Sequence, residues 1–303
     1  MLNAVKSFGD IKKGIEAFNP HLILLCVDFD GTLAKIQKNP YAAYLEDEQK
    51  KTIKKLSNIK NVYYCIVTGR KLSDIKKRVG LSNDIIYSGN HGFEIKSYYR
   101  NVKINFLAGG PNSNMYKNTL KNIENALRKK IKINNLIIEN KKFSIGLHFR
   151  MLNQKDTMKL KKETKSIFNS NSEYKKILRL KRGKKILEVR SKLDWDKGKA
   201  CEYITKKLAE IYGIAAARSQ PDITNSTLRI LRFNMGDDLT DETMFVKKKY
   251  DIESDPDKTN KTNVLSISCV VGKKKSLADY YINNYIQTYT VMQKLTDLFF
   301  VSR

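Results

Sequence analysis

Apolar residues follow two rhythms along this chain. Leu22–Val27 and Val62–Val67 are continuous apolar runs, and Asp84–Tyr87, with apolar Ile85, Ile86 and Tyr87, reads as a shorter third strand. Runs of this length between turn residues predict buried strands. Between them lie segments of helical period. Glu46–Ser57 sets Ile53 and Leu56 on one side, and Ser73–Val79 follows the second strand. Strand, helix, strand, helix at this spacing predicts parallel crossovers and a doubly wound sheet. Met1–Pro20 reads as a leading helix and loop, and Thr32–Pro40 as a connecting flap.

After Gly89-Asn90-His91-Gly92 the pattern changes. Leu120, Ile123, Leu127 and Ile131 recur at helical spacing, predicting an amphipathic helix over Asn114–Lys130. Leu136–Glu139 and Phe143–Arg150 read as paired strands, Lys155–Phe168 as a second helix. Tyr174–Leu180 and Lys184–Arg190 read as a hairpin about Lys181-Arg182-Gly183. Helix, two strands, helix, two strands is a compact α+β unit in its own right. The βα rhythm then resumes. A helix is expected over Gly198–Tyr212, a strand over Arg229–Asn234 and a short helix over Asp241–Lys249. Asp251–Asn263 reads as a polar loop, Val264–Val271 as a strand and Tyr285–Phe300 as a closing helix. The chain is therefore an α/β core, residues 1–99 and 191–303, with an α+β domain, residues 100–190, inserted into it.

Composition narrows the setting. With 41% hydrophobic residues among 303, a sizeable core is expected. No apolar stretch approaches the roughly 18 residues of a membrane helix, and Met1–Phe18 carries acids where a signal peptide is apolar. Cys26, Cys65, Cys201 and Cys269 show no metal-ligand spacing, and three of them sit in apolar runs as buried thiols do. A reducing, cytoplasmic setting and a monomer are the expectation. The net charge of +27 points toward an acidic partner. The lysines run along the whole chain, however, without a basic tail, a zinc-finger spacing or an RNA-binding aromatic signature. Nucleic acid is therefore not the expected partner; a positive field would also draw in a small anionic substrate.

The chemistry collects where strands end. Asp28-Phe29-Asp30-Gly31-Thr32 follows the first strand, and Asp28 and Asp30, two apart, share a face of extended chain. Two carboxylates this close repel as anions unless a cation or a proton intervenes. Thr68 follows the second strand, Lys197 precedes a helix, and Asp237-Asp238 with Asp241 follow a later strand. Taken singly, these are a turn, a solvated lysine and a helix cap with first-turn acids. Together they supply what phosphoryl transfer needs: a nucleophile, donors for phosphoryl oxygens, carboxylates for a cation, and a proton carrier.

That ordered set resembles the haloacid dehalogenase-like phosphatases, whose four motifs are matched by Asp28–Thr32, Thr68, Lys197 and Gly236-Asp237-Asp238-Leu239-Thr240-Asp241. The resemblance implies a Rossmann-like doubly wound parallel core with an inserted cap. It also implies Asp28 as nucleophile, Asp30 as acid and base, and Thr68 and Lys197 on the phosphoryl oxygens. Mg²⁺ would be held by Asp28, the Asp30 carbonyl and Asp237, with Asp238 and Asp241 as outer or alternative ligands. Val67–Arg70, Gly89–Gly92, His148–Arg150, Leu187–Arg190 and Asp194–Ala200 further resemble the trehalose-6-phosphate phosphatases, especially their plant-like branch. In that family the cap is mobile and closes on the disaccharide. Gly69, Arg70, His91, Arg150 and Glu188 are then the substrate-binding candidates, and the implied reaction is hydrolysis of trehalose 6-phosphate. Ser191 stands where the family commonly has Pro, and Leu239 where plant-like members commonly have Arg. Another sugar phosphate, such as sucrose 6-phosphate, and a catalytically weak basic binding protein are the alternatives.

Overall fold

A computed structural model describes residues 1–81, 83–110, 113–183, 185–219, 227–246, 249–253 and 261–301. The chain divides into two compact units, 1–106 with 196–303, and 107–195.

The larger unit is built on one mostly parallel sheet. Its strands are β1 (Leu2–Asn3), β2 (Leu22–Val27), β3 (Val62–Val67), β4 (Ile86–Gly89), β5 (Glu94–Tyr99) and β6 (Val102–Leu107). The smaller unit holds β7 (Ile137–Asn140), β8 (Ser144–His148), β9 (Leu178–Gly183) and β10 (Ile186–Ser191). The larger sheet then gains β11 (Leu228–Gly236), β12 (Lys249–Glu253), β13 (Lys261–Val271) and β14 (Tyr280–Ile282). The large-sheet order is β1-β14-β13-β11-β2-β3-β4-β5-β6, with β12 antiparallel to β13. From β1 to β4 every pairing is parallel. β2 lies between β3 and β11, so the chain reverses its winding there, and the carboxyl ends of three adjacent strands form one crevice.

Successive side chains of β2 alternate between the two faces of the sheet, and both faces are buried. Ile23, Leu25 and Val27 of β2 join the core formed with α1 (Phe8–Phe18), α2 (Asp47–Asn58), α3 (Leu72–Val79) and the closing helix, Tyr285–Val301. Leu22, Leu24 and Cys26 are equally buried on the other face. There the helix Lys197–Ser219 packs on β3 and β11. All four cysteines are free and buried. No described helix is long and apolar enough to cross a membrane.

In the smaller unit, α4 (Ser113–Lys130), α5 (Gln154–Asn169) and α6 (Ser172–Ile177) share a core with a four-stranded sheet of order β7-β8-β10-β9. Ile145, Leu147, Leu187 and Val189 face these helices. The alternate residues, among them Gly146, Glu188 and Arg190, face away from them. The remaining helices, numbered on, are α7 (Lys197–Ser219), α8 (Glu242–Phe245) and α9 (Tyr285–Val301).

Several elements differ from the sequence expectation. Tyr174–Ile177 lies in α6 rather than a strand. Asn171 caps the helix, its side-chain oxygen accepting from the Glu173 amide at 2.8 Å, and Tyr174 is buried at a helical position. The helix expected over Asp241–Lys249 stops at Phe245, and Lys249–Glu253, which runs from the end of that expected helix into the expected loop at Asp251, forms β12. That strand is anchored by Arg232, fully buried on β11, whose guanidinium donates to the Tyr250 hydroxyl at 2.8 Å. Part of the expected loop, residues 254–260, lies outside the described residues. The hairpin β5–β6 extends the large sheet beyond the Gly89–Gly92 change of rhythm. The leading helix is preceded by the two-residue strand β1 and closed by Asn19 in the left-handed conformation.

Candidate active site

β2, β3 and β11 deliver their next residues to one crevice. Asp28 continues the ladder, its amide donating to the Met235 carbonyl at 2.9 Å, and Thr68 does the same to Ser88 at 2.9 Å. The chain after Asp28 turns sharply: Leu33 and Ala34 amides return to the Phe29 carbonyl, and the Tyr289 hydroxyl of α9 donates to the Leu33 carbonyl at 2.7 Å. Gly31 has a φ of +91°, and a Cβ there would run into the Asp237 carboxylate. Gly236 is equally required, since its Cβ would collide with the Asp241 side chain. These two glycines let the β2 and β11 loops close on each other.

Lys197, at the start of α7, is the central cation. Its Nζ donates to Asp28 Oδ1 at 2.7 Å and to Asp241 Oδ1 at 2.6 Å, and all three side chains are buried. The other oxygen of Asp241 accepts from the Asp237 and Asp238 amides at 2.8 and 2.9 Å, so Asp241 also shapes the loop after β11. Lys274 donates to the Asp237 carbonyl.

Asp28, Asp237 and Asp241 each offer an oxygen, all within 4.8 Å of one another. Burial, the largest effect, raises all three carboxyls; for Asp28 and Asp241 it outweighs Lys197, and for Asp237 it acts with the Asp241 charge to push the group up to about 7. Burial disfavours the Lys197 ammonium, but Asp241 and Asp28 more than offset it and hold it charged. One ammonium thus faces more negative charge than it can balance. Hard oxygen donors in this spacing, short of positive charge, fit a divalent cation of the Mg²⁺ class.

Other expected residues fall around this group. Asp30 is clamped by Arg70, whose Nε and Nη2 donate to its two oxygens at 2.6 Å each. Arg70 also donates to Asp74 at 3.1 Å, and Asp74 accepts from Arg78 at 2.7 Å. The expected substrate contact Arg70 is therefore engaged with carboxylates. Thr68 is buried, and its hydroxyl oxygen accepts from the Arg70 amide at 3.2 Å. His91 donates its amide to the Thr68 carbonyl at 2.8 Å. Its ring packs so closely on Gly69 that a Cβ there would lie 2.6 Å from it. Asp238 stands outside the three-carboxylate group and accepts from the Thr240 amide and hydroxyl, both at 2.6 Å. Burial acts to raise its pKa, but Lys197 and Thr240 outweigh it and hold it below the usual range.

In the smaller unit, Glu188 is buried on β10 and accepts from Lys141 Nζ at 3.0 Å, with Arg190 Nη1 at 3.9 Å. His148 meets Glu139 at 2.9 Å. Arg150 lies just past β8 and is half-buried. Sequence reasoning did not single out Lys141, Asp74, Lys274 or Tyr289. The Asn140-Lys141-Lys142 turn offers two adjacent lysines, and only the β7–β8 register, Asn140 against Ile145, turns the first of them inward.

Comparison with known proteins places this arrangement. The family model described as trehalose-phosphatase matches residues 26–285, a span that includes all four strand-end motifs. The chain belongs to the trehalose-phosphatase family. Among curated relatives, the probable trehalose-phosphate phosphatase D of Arabidopsis thaliana is 33% identical over 236 residues, covering 76% of this chain and 58% of its own length. The chain thus spans a little over half the length of the curated trehalose-phosphatase relatives it matches. The C-terminal domain of Candida albicans trehalose-6-phosphate phosphatase superposes with a TM-score of 0.66 at 21% identity, covering 95% of this chain and 97% of that one. A trehalose-6-phosphate phosphatase related protein gives the same score and identity over 92% and 100%. The fold is shared with a haloacid dehalogenase-like hydrolase from Bacteroides thetaiotaomicron, at a TM-score of 0.50 and 12% identity over 90% of this chain and 99% of that one.

Proposed function

We propose that this protein is a Mg²⁺-dependent phosphatase that hydrolyses trehalose 6-phosphate to trehalose and phosphate through an aspartyl phosphate on Asp28. The observation that carries this reading is the Asp28–Lys197–Asp241 bridge beside Asp237, in a chain of the trehalose-phosphatase family.

In this reading an Asp28 oxygen attacks phosphorus and the bond to the sugar oxygen breaks. Asp30 gives a proton to the departing sugar oxygen, then takes one from water, which attacks phosphorus and returns the Asp28 carboxylate with release of phosphate. Arg70 orients Asp30 through its two parallel bonds. Lys197 fixes the attacking carboxylate and offsets charge on the phosphoryl oxygens, and the Thr68 hydroxyl donates to one of them. The cation, held by Asp28 and Asp237 with Asp241 close by, would neutralise the phosphoryl group as charge builds there. Gly69, His91, Arg150 and Glu188 are proposed to contribute to sugar recognition. Residues 100–190 are proposed as the cap insert, which coincides nearly with the compact unit 107–195.

Phosphate release with Mg²⁺ from trehalose 6-phosphate, sucrose 6-phosphate, glucose 6-phosphate and an aryl phosphate tests this. A clear preference for trehalose 6-phosphate is the expected result. Activity on the aryl phosphate alone would keep the chemistry and overturn the substrate, and preference for sucrose 6-phosphate would reassign it.

A further inference from the structure

The excess positive charge is not spread evenly. Residues 107–195 carry 23 Lys and Arg against 7 Asp and Glu, so a net +16 of the whole +27 sits in 89 of the 303 residues. A uniform drift of composition toward lysine would not concentrate it so. We propose that the helical face of this unit binds the phosphate backbone of double-stranded nucleic acid without sequence preference.

The charge is organised on the outer surface of the helices. Along α5, Leu160, Thr164, Ile167 and Phe168 are buried, while Lys155, Lys159, Lys162 and Lys165 are exposed on the opposite side. They climb about 15 Å along the helix axis. Lys121 and Lys129 of the neighbouring α4 are exposed too. Among the described residues, Lys155, Lys159, Lys162 and Lys165 make no ion pair, and Lys155 and Lys159 stand as a like-charge i,i+4 pair. Like charges at that spacing destabilise the helix, whereas alternating sign is the pattern that supports a solvated face. Of the acids nearby, Glu163 pairs with Lys130 at 3.2 Å and Glu124 with Arg128 at 2.9 Å, while Asp156 in the first turn of α5 accepts from the Asn153 side chain at 2.9 Å.

This face lies on the opposite side of the small sheet from Glu188, the β10 residue proposed for sugar recognition. Its chemistry selects the partner. Exposed large apolar side chains in 113–183 are Met115, Met151 and Met158, with no aromatic among them. Membrane-surface helices insert Trp, Phe or Leu, and single-stranded binders stack bases on aromatic rings. A row of lysines without either matches the charge of a duplex backbone.

The test is binding of RNA and DNA duplexes of about 20 base pairs by the wild-type protein and the quadruple variant K155Q/K159Q/K162Q/K165Q across a salt series. Wild type should bind with affinity falling steeply as salt rises. The variant should bind at least tenfold more weakly at about 100 mM salt, with a log–log salt slope shallower by about 3 to 4. Its phosphate release and melting temperature should match wild type. K121Q/K129Q supplies a second variant, with a smaller loss. Absence of duplex binding at about 50 mM salt, equal binding by wild type and variant, or capture by anionic vesicles but not by duplexes would overturn the proposal.

Discussion

One lysine ties the site together. Lys197 bridges Asp28 and Asp241 with every partner buried, and removing it would strand two carboxylates in the interior. Lys197→Met should cost about 3–5 kcal/mol of stability, read by urea unfolding at neutral pH, with little loss at pH 4, where the carboxyls can take up protons. Asp237 makes a second prediction. Its folded pKa of about 7 lies above the ordinary 3.8, so the folded state holds more protons than the unfolded chain between pH 4 and 7. Stability should fall across that window as pH rises, fall less in Asp237→Asn, and recover when Mg²⁺ is added. A melting temperature flat from pH 4.5 to 8 in metal-free buffer would contradict this. The cluster was legible in the sequence because its carboxylates directly follow apolar runs and are out of place in a core. Arg70 was expected at the substrate, and its clamp on Asp30 was not legible, since a guanidinium's partner 40 positions away is fixed only by the parallel register of β2 and β3.

At the scale of elements, the βα crossovers were readable because their strands are buried on both faces and their runs are unbroken. β12 was not. Lys249–Glu253 is mostly polar, and it becomes a strand because Ile252 is buried and Tyr250 receives Arg232 from β11. The α6 turn was misread for a related reason: Tyr174 and Ile177 suit a strand by propensity, and the Asn171 cap decided the outcome. The turn after β11 depends on Gly236, where any side chain meets Asp241. Gly236→Ala should therefore destabilise by about 1–3 kcal/mol and lower phosphate release further than the stability loss explains, by displacing Asp241 from Lys197. Full activity in a folded Gly236→Ala protein would show that the loop has more room than this account gives it.

Across the whole molecule, the larger unit holds the carboxylate cluster and the smaller one Glu188, and the two should separate in kinetics. Glu188→Ala should lower kcat/KM for trehalose 6-phosphate at least tenfold while changing aryl phosphate hydrolysis by less than about twofold, because a lost polar contact weakens only the substrate that makes it. Equal losses would remove Glu188 from sugar recognition. The proposed attack by Asp28 on phosphorus is tested most directly by phosphate release from trehalose 6-phosphate by Asp28→Asn beside wild type, with Mg²⁺ and with folding checked by circular dichroism. A folded variant with a kcat lower by about a thousandfold or more is expected, since the amide keeps the shape and lacks the nucleophile. A folded Asp28→Asn protein retaining more than a few per cent of wild-type turnover would contradict it.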